Sequence, residues 1–118
     1  MAIESELRTQ ILSSSEVTDI IGTELYPSVK PQNVKPPYAI YHIISDNDTQ
    51  CMSGAITMSK VRVQIDCYSY KYSEVIQLRQ AVKDSVIGFK ASNSFNSYDG
   101  YDDETEFYKK ILDFKIRN

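Results

Sequence analysis

Ser59-Lys60-Val61-Arg62-Val63-Gln64-Ile65-Asp66-Cys67-Tyr68 is the stretch on which the fold turns. Val61, Val63, Ile65 and Cys67 alternate with Arg62, Gln64, Asp66 and Tyr68. A period of two puts the apolar side chains on one face of a strand and the polar ones on the other. Shortly after it, Ser73 is placed to cap a helix from Glu74 to about Ile87, because its hydroxyl can accept a bond from an unpaired first-turn amide. Val75, Leu78, Val82 and Val86 are spaced three, four and four residues apart and form one apolar stripe. Gly88 ends the helix. Ile76 and Ile87 lie about 100° off the stripe, either under a loop or open to a partner. Strand face and helix stripe are expected to bury each other.

Towards the N-terminus, Tyr38 to Ser45 reads as a second strand, with Tyr38, Ile40, His42 and Ile44 on one face and Ala39, Tyr41 and Ile43 on the other. Both faces are largely apolar, so cover is expected on both: helices on one, a second sheet layer or a neighbouring subunit on the other. Pro27, Pro31, Pro36 and Pro37 precede it. Lacking amide donors, they argue for an extended loop after a short strand near Leu25 and Tyr26. Ile3, Leu7 and Ile11 share a helical face, and Ser15 is placed to cap a second short helix from Glu16 to Ile21, closed by Gly22.

Towards the C-terminus, residues 46–54 read as a polar turn. Residues 90–106 read as a long loop or a twisted hairpin arm centred near Gly100. Both polar segments are expected to be more mobile than the strands. Phe107 to Arg117 is the last strand, with Lys110 on the face of Tyr108, Leu112, Phe114 and Ile116; its charge should reach an edge. The order of elements implies an α+β fold, one antiparallel or mixed β-sheet with helices packed on one face. The 118 residues fit one domain, 1–118.

Charge and chemistry narrow the function. The net charge is −3 and no strong basic patch is evident, which argues against nucleic-acid binding as the main task. No stretch approaches the ~20 apolar residues of a membrane helix, and the N-terminus does not resemble a secretory signal. Cys51 and Cys67 read as two free thiols. The lone histidine, His42, reads as a structural residue of the sheet. No nucleophile motif, zinc-ligand spacing or phosphate loop is present. Asp99, Asp102, Asp103, Glu104 and Glu106 lack the spacing of a calcium loop and read as a solvated hairpin tip. No catalytic residue, cofactor or metal is expected.

Four segments together carry a resemblance: Ile20-Ile21-Gly22-Thr23-Glu24-Leu25-Tyr26-Pro27 after an N-terminal helix; Pro37-Tyr38-Ala39-Ile40-Tyr41; Val61 to Tyr68 leading through Tyr72-Ser73-Glu74 into a helix; and Thr105-Glu106-Phe107-Tyr108-Lys109-Lys110-Ile111-Leu112-Asp113-Phe114-Lys115-Ile116. In order and spacing the chain resembles the tail-completion, or tail-terminator, proteins of long-tailed bacteriophages and prophages. It departs from them at Tyr68, where tryptophan is frequent, and near Glu106, where glycine is.

The resemblance implies a non-enzymatic assembly protein, made in the host cytoplasm and placed in the virion tail. It implies a ring, commonly hexameric, that terminates the tail tube and joins it to the head connector or stopper protein. DNA would pass through without specific binding, and no membrane is involved. A head-completion or connector component, or a non-catalytic prophage binding domain, is the alternative. The candidate interface or docking residues are Asp46, Asp48, Gln50, Ile76, Ile87, Asp99, Asp102, Asp103 and Glu104. The acidic ones among residues 99–106 belong to an outer hairpin or, alternatively, approach the lumen.

Overall fold

The structure, a computed structural model, describes residues 3–29, 34–50, 56–102 and 106–117; of residues 45–50, 56–59 and 102 it describes the backbone. In chain order the elements are α1 (Ile3–Leu12), α2 (Ser15–Ile21), β1 (Leu25–Pro27), β2 (Tyr38–Gln50), β3 (Ile56–Ser69), α3 (Tyr72–Val86), a 3-10 turn (Phe89–Ala91), β4 (Asn93–Asp102) and β5 (Phe107–Arg117). Among the described residues the strands form one sheet in the order β1-β2-β3-β5-β4. β1 runs parallel to β2 and the other neighbours are antiparallel, so the sheet is mixed and the fold is α+β.

The alternation in β3 has the expected consequence. Val61, Val63, Ile65 and Cys67 are fully buried, as are Val75, Leu78, Val82 and Val86 of α3. Leu112, Phe114 and Ile116 extend the same apolar surface across β5, and Ile3, Leu7, Ile11, Val17 and Ile21 close it with α1 and α2. Burying each such side chain is favourable by about 1.5–3 kcal/mol, which holds all three helices on one face. A Lys90–Glu6 ion pair at 2.8 Å ties the 3-10 turn back to α1.

The opposite face of the sheet has no helix or second sheet over it among the described residues. Its apolar side chains instead cover one another. Tyr38 is only 3% exposed because Tyr68 stacks on it at 4.9 Å and Phe107 meets it edge-on at 6.4 Å.

Several expectations need correction. The polar segment after Ser45 is not a turn up to residue 50. β2 continues through it, with Asp46, Asp48 and Gln50 opposite Val61, Ser59 and Ile56, after a register shift between Ile43 and Ser45. Backbone pairing with β3 outweighs the poor strand propensity of that sequence. Most of 90–106 is also strand. Gly100 is no turn centre but lies opposite Lys109, and the pairing of β4 with β5 runs on to Asp102 and Phe107.

Lys110 does not reach water at an edge. Its side chain is 13% exposed, and its ammonium donates to Asp99 Oδ1 at 2.6 Å from the facing position on β4. The caps shift as well: Ser14 rather than Ser15 precedes α2, and Lys71 precedes α3, so Ser73 lies inside that helix. The start of α3 is held instead by buried Ser69, whose hydroxyl donates to Glu74 Oε1 at 2.7 Å and accepts from the Lys71 amide at 3.1 Å.

Candidate functional site

The sheet has two unlike ends. At one, β3 passes into α3 and β4 turns into β5. At the other, β2 and β3 pair out to Gln50 and Ile56, past the Lys60–Arg117 pair that ends the ladder with β5. This ribbon lengthens the molecule, whose long dimension is 52 Å.

The first end is aromatic. On the open face Tyr38, Tyr68 and Phe107 pack together, and Tyr70 meets Phe107 edge-on at 5.0 Å. On the helix face Tyr108 lies between Tyr72 (5.6 Å) and Tyr101 (4.9 Å). Tyr70, Tyr72 and Tyr101 remain about half exposed. Aromatic side chains fixed by their neighbours but facing water suit a protein interface, since ordering them on contact costs little further entropy. Asp99 anchors this end. Its carboxylate accepts from Lys110 and, at 3.1 Å, from the Tyr72 hydroxyl. The Lys110 bond holds its carboxyl below the usual carboxylate range, against the smaller opposing effect of desolvation.

Charged pairs cross the open face. His42 Nε2 lies 3.3 Å from Asp66 Oδ2, while Gln64 donates to Oδ1 at 2.9 Å and Lys109 Nζ lies 3.6 Å from Oδ2. His42 is therefore a hydrogen-bonded member of the sheet. Nearer the ribbon, the Arg62 guanidinium grips both oxygens of buried Asp113. That fork-to-carboxylate contact is the strong kind of ion pair, and it raises the Arg62 pKa further.

Beside this pair lies a groove of about 390 Å³, lined by Lys60, Val61, Arg62, Ser94, Asn96, Tyr98, Asp113 and Lys115. Its cations come from strands far apart in sequence. Lys60 faces Arg117 and Arg62 faces Lys115 in the β3–β5 register. The sequence reading missed this basic surface because it sought a run of Lys and Arg. The available signal was periodic: in both Lys60-Val61-Arg62 and Lys115-Ile116-Arg117 two cations flank a buried apolar residue.

The residues singled out from the sequence do not converge on one site. Asp46, Asp48 and Gln50 lie on the ribbon, and Asp99 and Asp102 lie at the aromatic end. Ile76 is half-buried on α3, and Ile87, just past its end, is 58% exposed. Asp103, Glu104 and Cys51 lie outside the described residues. Among the described residues no group of three or more His, Cys, Asp or Glu side chains is placed to hold a metal ion, and no helix is long and apolar enough to cross a membrane.

Residues 5–118 match the family model described as tail completion protein gp17. Among solved structures, a chain from the virion of a native gene transfer agent particle aligns with a TM-score of 0.81 at 15% identity, covering 98% of this chain and 93% of that one. At that identity the likeness is one of fold. No curated protein sequence matches.

Proposed function

This chain belongs to the tail completion protein gp17 family, and from that premise we propose that it forms a ring that terminates the phage tail tube and joins it to the head. The family makes it a structural protein of a phage tail. The ring, its hexameric count, the tube-ending role and the partners are our reading: copies of itself around the ring, the tail tube protein below, and a head connector or stopper protein above. DNA passes through the ring without specific binding. In this reading the chain acts as one non-catalytic domain.

Beyond the family match, the observation that carries the reading is the polarity of the sheet. One end displays half-exposed Tyr70, Tyr72 and Tyr101, and the other presents a cationic groove and a projecting ribbon. A head-to-tail ring needs two unlike surfaces on every copy. Contacts that join one patch to a different patch on the next copy build rings where the rotation closes, not two-fold dimers.

Negative-stain microscopy of the purified protein mixed with tail tubes tests this. Rings, or tubes capped at one end and of limited length, are the expected result. Monomers beside tubes that keep elongating would sink it. Capping of connectors without capping of tubes would move the chain to the head-completion role.

A further inference from the structure

We propose that the cationic groove between β3, β5 and β4 receives the acidic β4–β5 end of a second copy of this chain. The inference rests on the reading that the chain assembles with itself, and it names the contact.

Lys60, Arg62, Lys115 and Arg117 occupy two facing pairs of the β3–β5 ladder. By strand geometry they fall within a patch of about 7 Å by 5 Å. Arg62 is neutralised by buried Asp113, whereas no ion pair joins Lys60, Lys115 or Arg117 to a carboxylate among the described residues. All three are exposed, as are Asn96 and Tyr98 on the groove's β4 side. Three like charges this close repel one another unless a counter-charge is brought in. Tyr98, 50% exposed, adds an aromatic contact of the kind enriched in protein interfaces.

The matching charge lies at the other end of the same sheet. From Asp99 to Glu106 the chain carries five acids and no base. Asp99 is already held by Lys110 and Tyr72. Asp102 and Glu106 flank the β4–β5 connection, and Glu106 is exposed. A compact cationic groove at one end of a molecule and an acidic hairpin end at the other fit each other only between different copies, which is the head-to-tail contact a ring requires. Duplex DNA fits less well. Its phosphates present one charge per ~1.7 Å of axis along an extended track, while this patch is two residue pairs long and gives way to Asp66 farther along the open face.

The test is a charge exchange read by sedimentation velocity. Lys60→Glu with Lys115→Glu reverses the groove, and Asp102→Lys, Asp103→Lys and Glu104→Lys together reverse the hairpin end, which otherwise carries four acids from Asp102 to Glu106. Each variant alone should self-associate about tenfold or more weakly than the wild type, since like charges then face each other. An equimolar mixture should recover assembly, because every contact in an alternating ring is again between opposite charges. Thermal melts near that of the wild type show that each variant is folded. Lys60→Gln with Lys115→Gln, which only removes charge, should give an intermediate loss and covers the case in which a reversal fails to fold.

Wild-type assembly by either reversed variant, or a mixture that stays dissociated, overturns the proposal. So does a groove variant that assembles normally but loses retardation of duplex DNA, which would assign the groove to phosphate. A wild type that stays monomeric at every concentration, with and without tail tubes, removes the assembly reading itself. Failure confined to the variants removes the groove contact alone.

Discussion

Cys67 shows how far a single environment is set by its place in the sheet. It is fully buried on the helix face of β3, and burial first, then the charge of neighbouring Asp66, pushes its thiol up to about 12. A thiolate is the reactive form of cysteine, so native Cys67 should be inert. In a Cys51→Ser background, a disulfide reagent at pH 8 should detect no thiol until the protein is unfolded; rapid labelling of the native protein would contradict the burial. The linkage has a sign. In the unfolded chain the thiol ionises near its ordinary value of 9.0, while the folded state keeps its proton to higher pH, so the contribution to stability is complete below about pH 9 and declines above it. That Cys67 is a small core residue was legible from alternation alone. The bond between Arg62 and Asp113 was not, because the two lie 51 positions apart and meet through the β3–β5 register. Glu106, at φ 61, takes a conformation that glycine adopts without strain, which gives a backbone reason for glycine near this position in the family it resembles.

At the scale of elements, β3 and α3 were readable because each carries its own period. β4 was not. Asn93–Asp102 has three aromatic residues among polar ones and no regular alternation, and it is a strand because β5 offers it a ladder. The polar end of β2 owes its extension to β3 in the same way. Local propensity is weak evidence at a sheet edge, where pairing supplies the order. The apolar stripe of α3 permits a sharper test. Leu78 is fully buried in the cluster with Val63, Ile65 and Leu112. Leu78→Ala should destabilise the protein by about 2–5 kcal/mol, the cost of lost contacts and a residual cavity. Chemical denaturation should show the midpoint falling without a change in slope, and an unchanged midpoint would remove α3 from the core. Gln77→Ala on the exposed face of the same helix is the control and should lie within about 0.5 kcal/mol of the wild type.

For the molecule as a whole, the question is whether charge or apolar burial governs self-association, and salt separates the possibilities. The aromatic end would act through apolar burial, which simple salts change little and sulfate strengthens. The groove acts through exposed charges, each pair contributing roughly 0.2–1 kcal/mol at low ionic strength. Three such pairs make roughly 0.6–3 kcal/mol, or a factor of about 3 to 150 in the association constant. Screening length falls from about 10 Å at 0.1 M to about 3 Å at 1 M, so most of that factor should vanish across this range. Sedimentation of the wild type in 0.1 M and 1 M sodium chloride is therefore expected to show self-association about threefold weaker or more in the higher salt. The Lys60→Gln, Lys115→Gln variant should begin weaker and respond less, because the charges that salt screens are already missing. Assembly that is indifferent to chloride and promoted by sulfate would instead place the dominant contact at Tyr70, Tyr72 and Tyr101. The groove would then contribute alignment between copies rather than affinity.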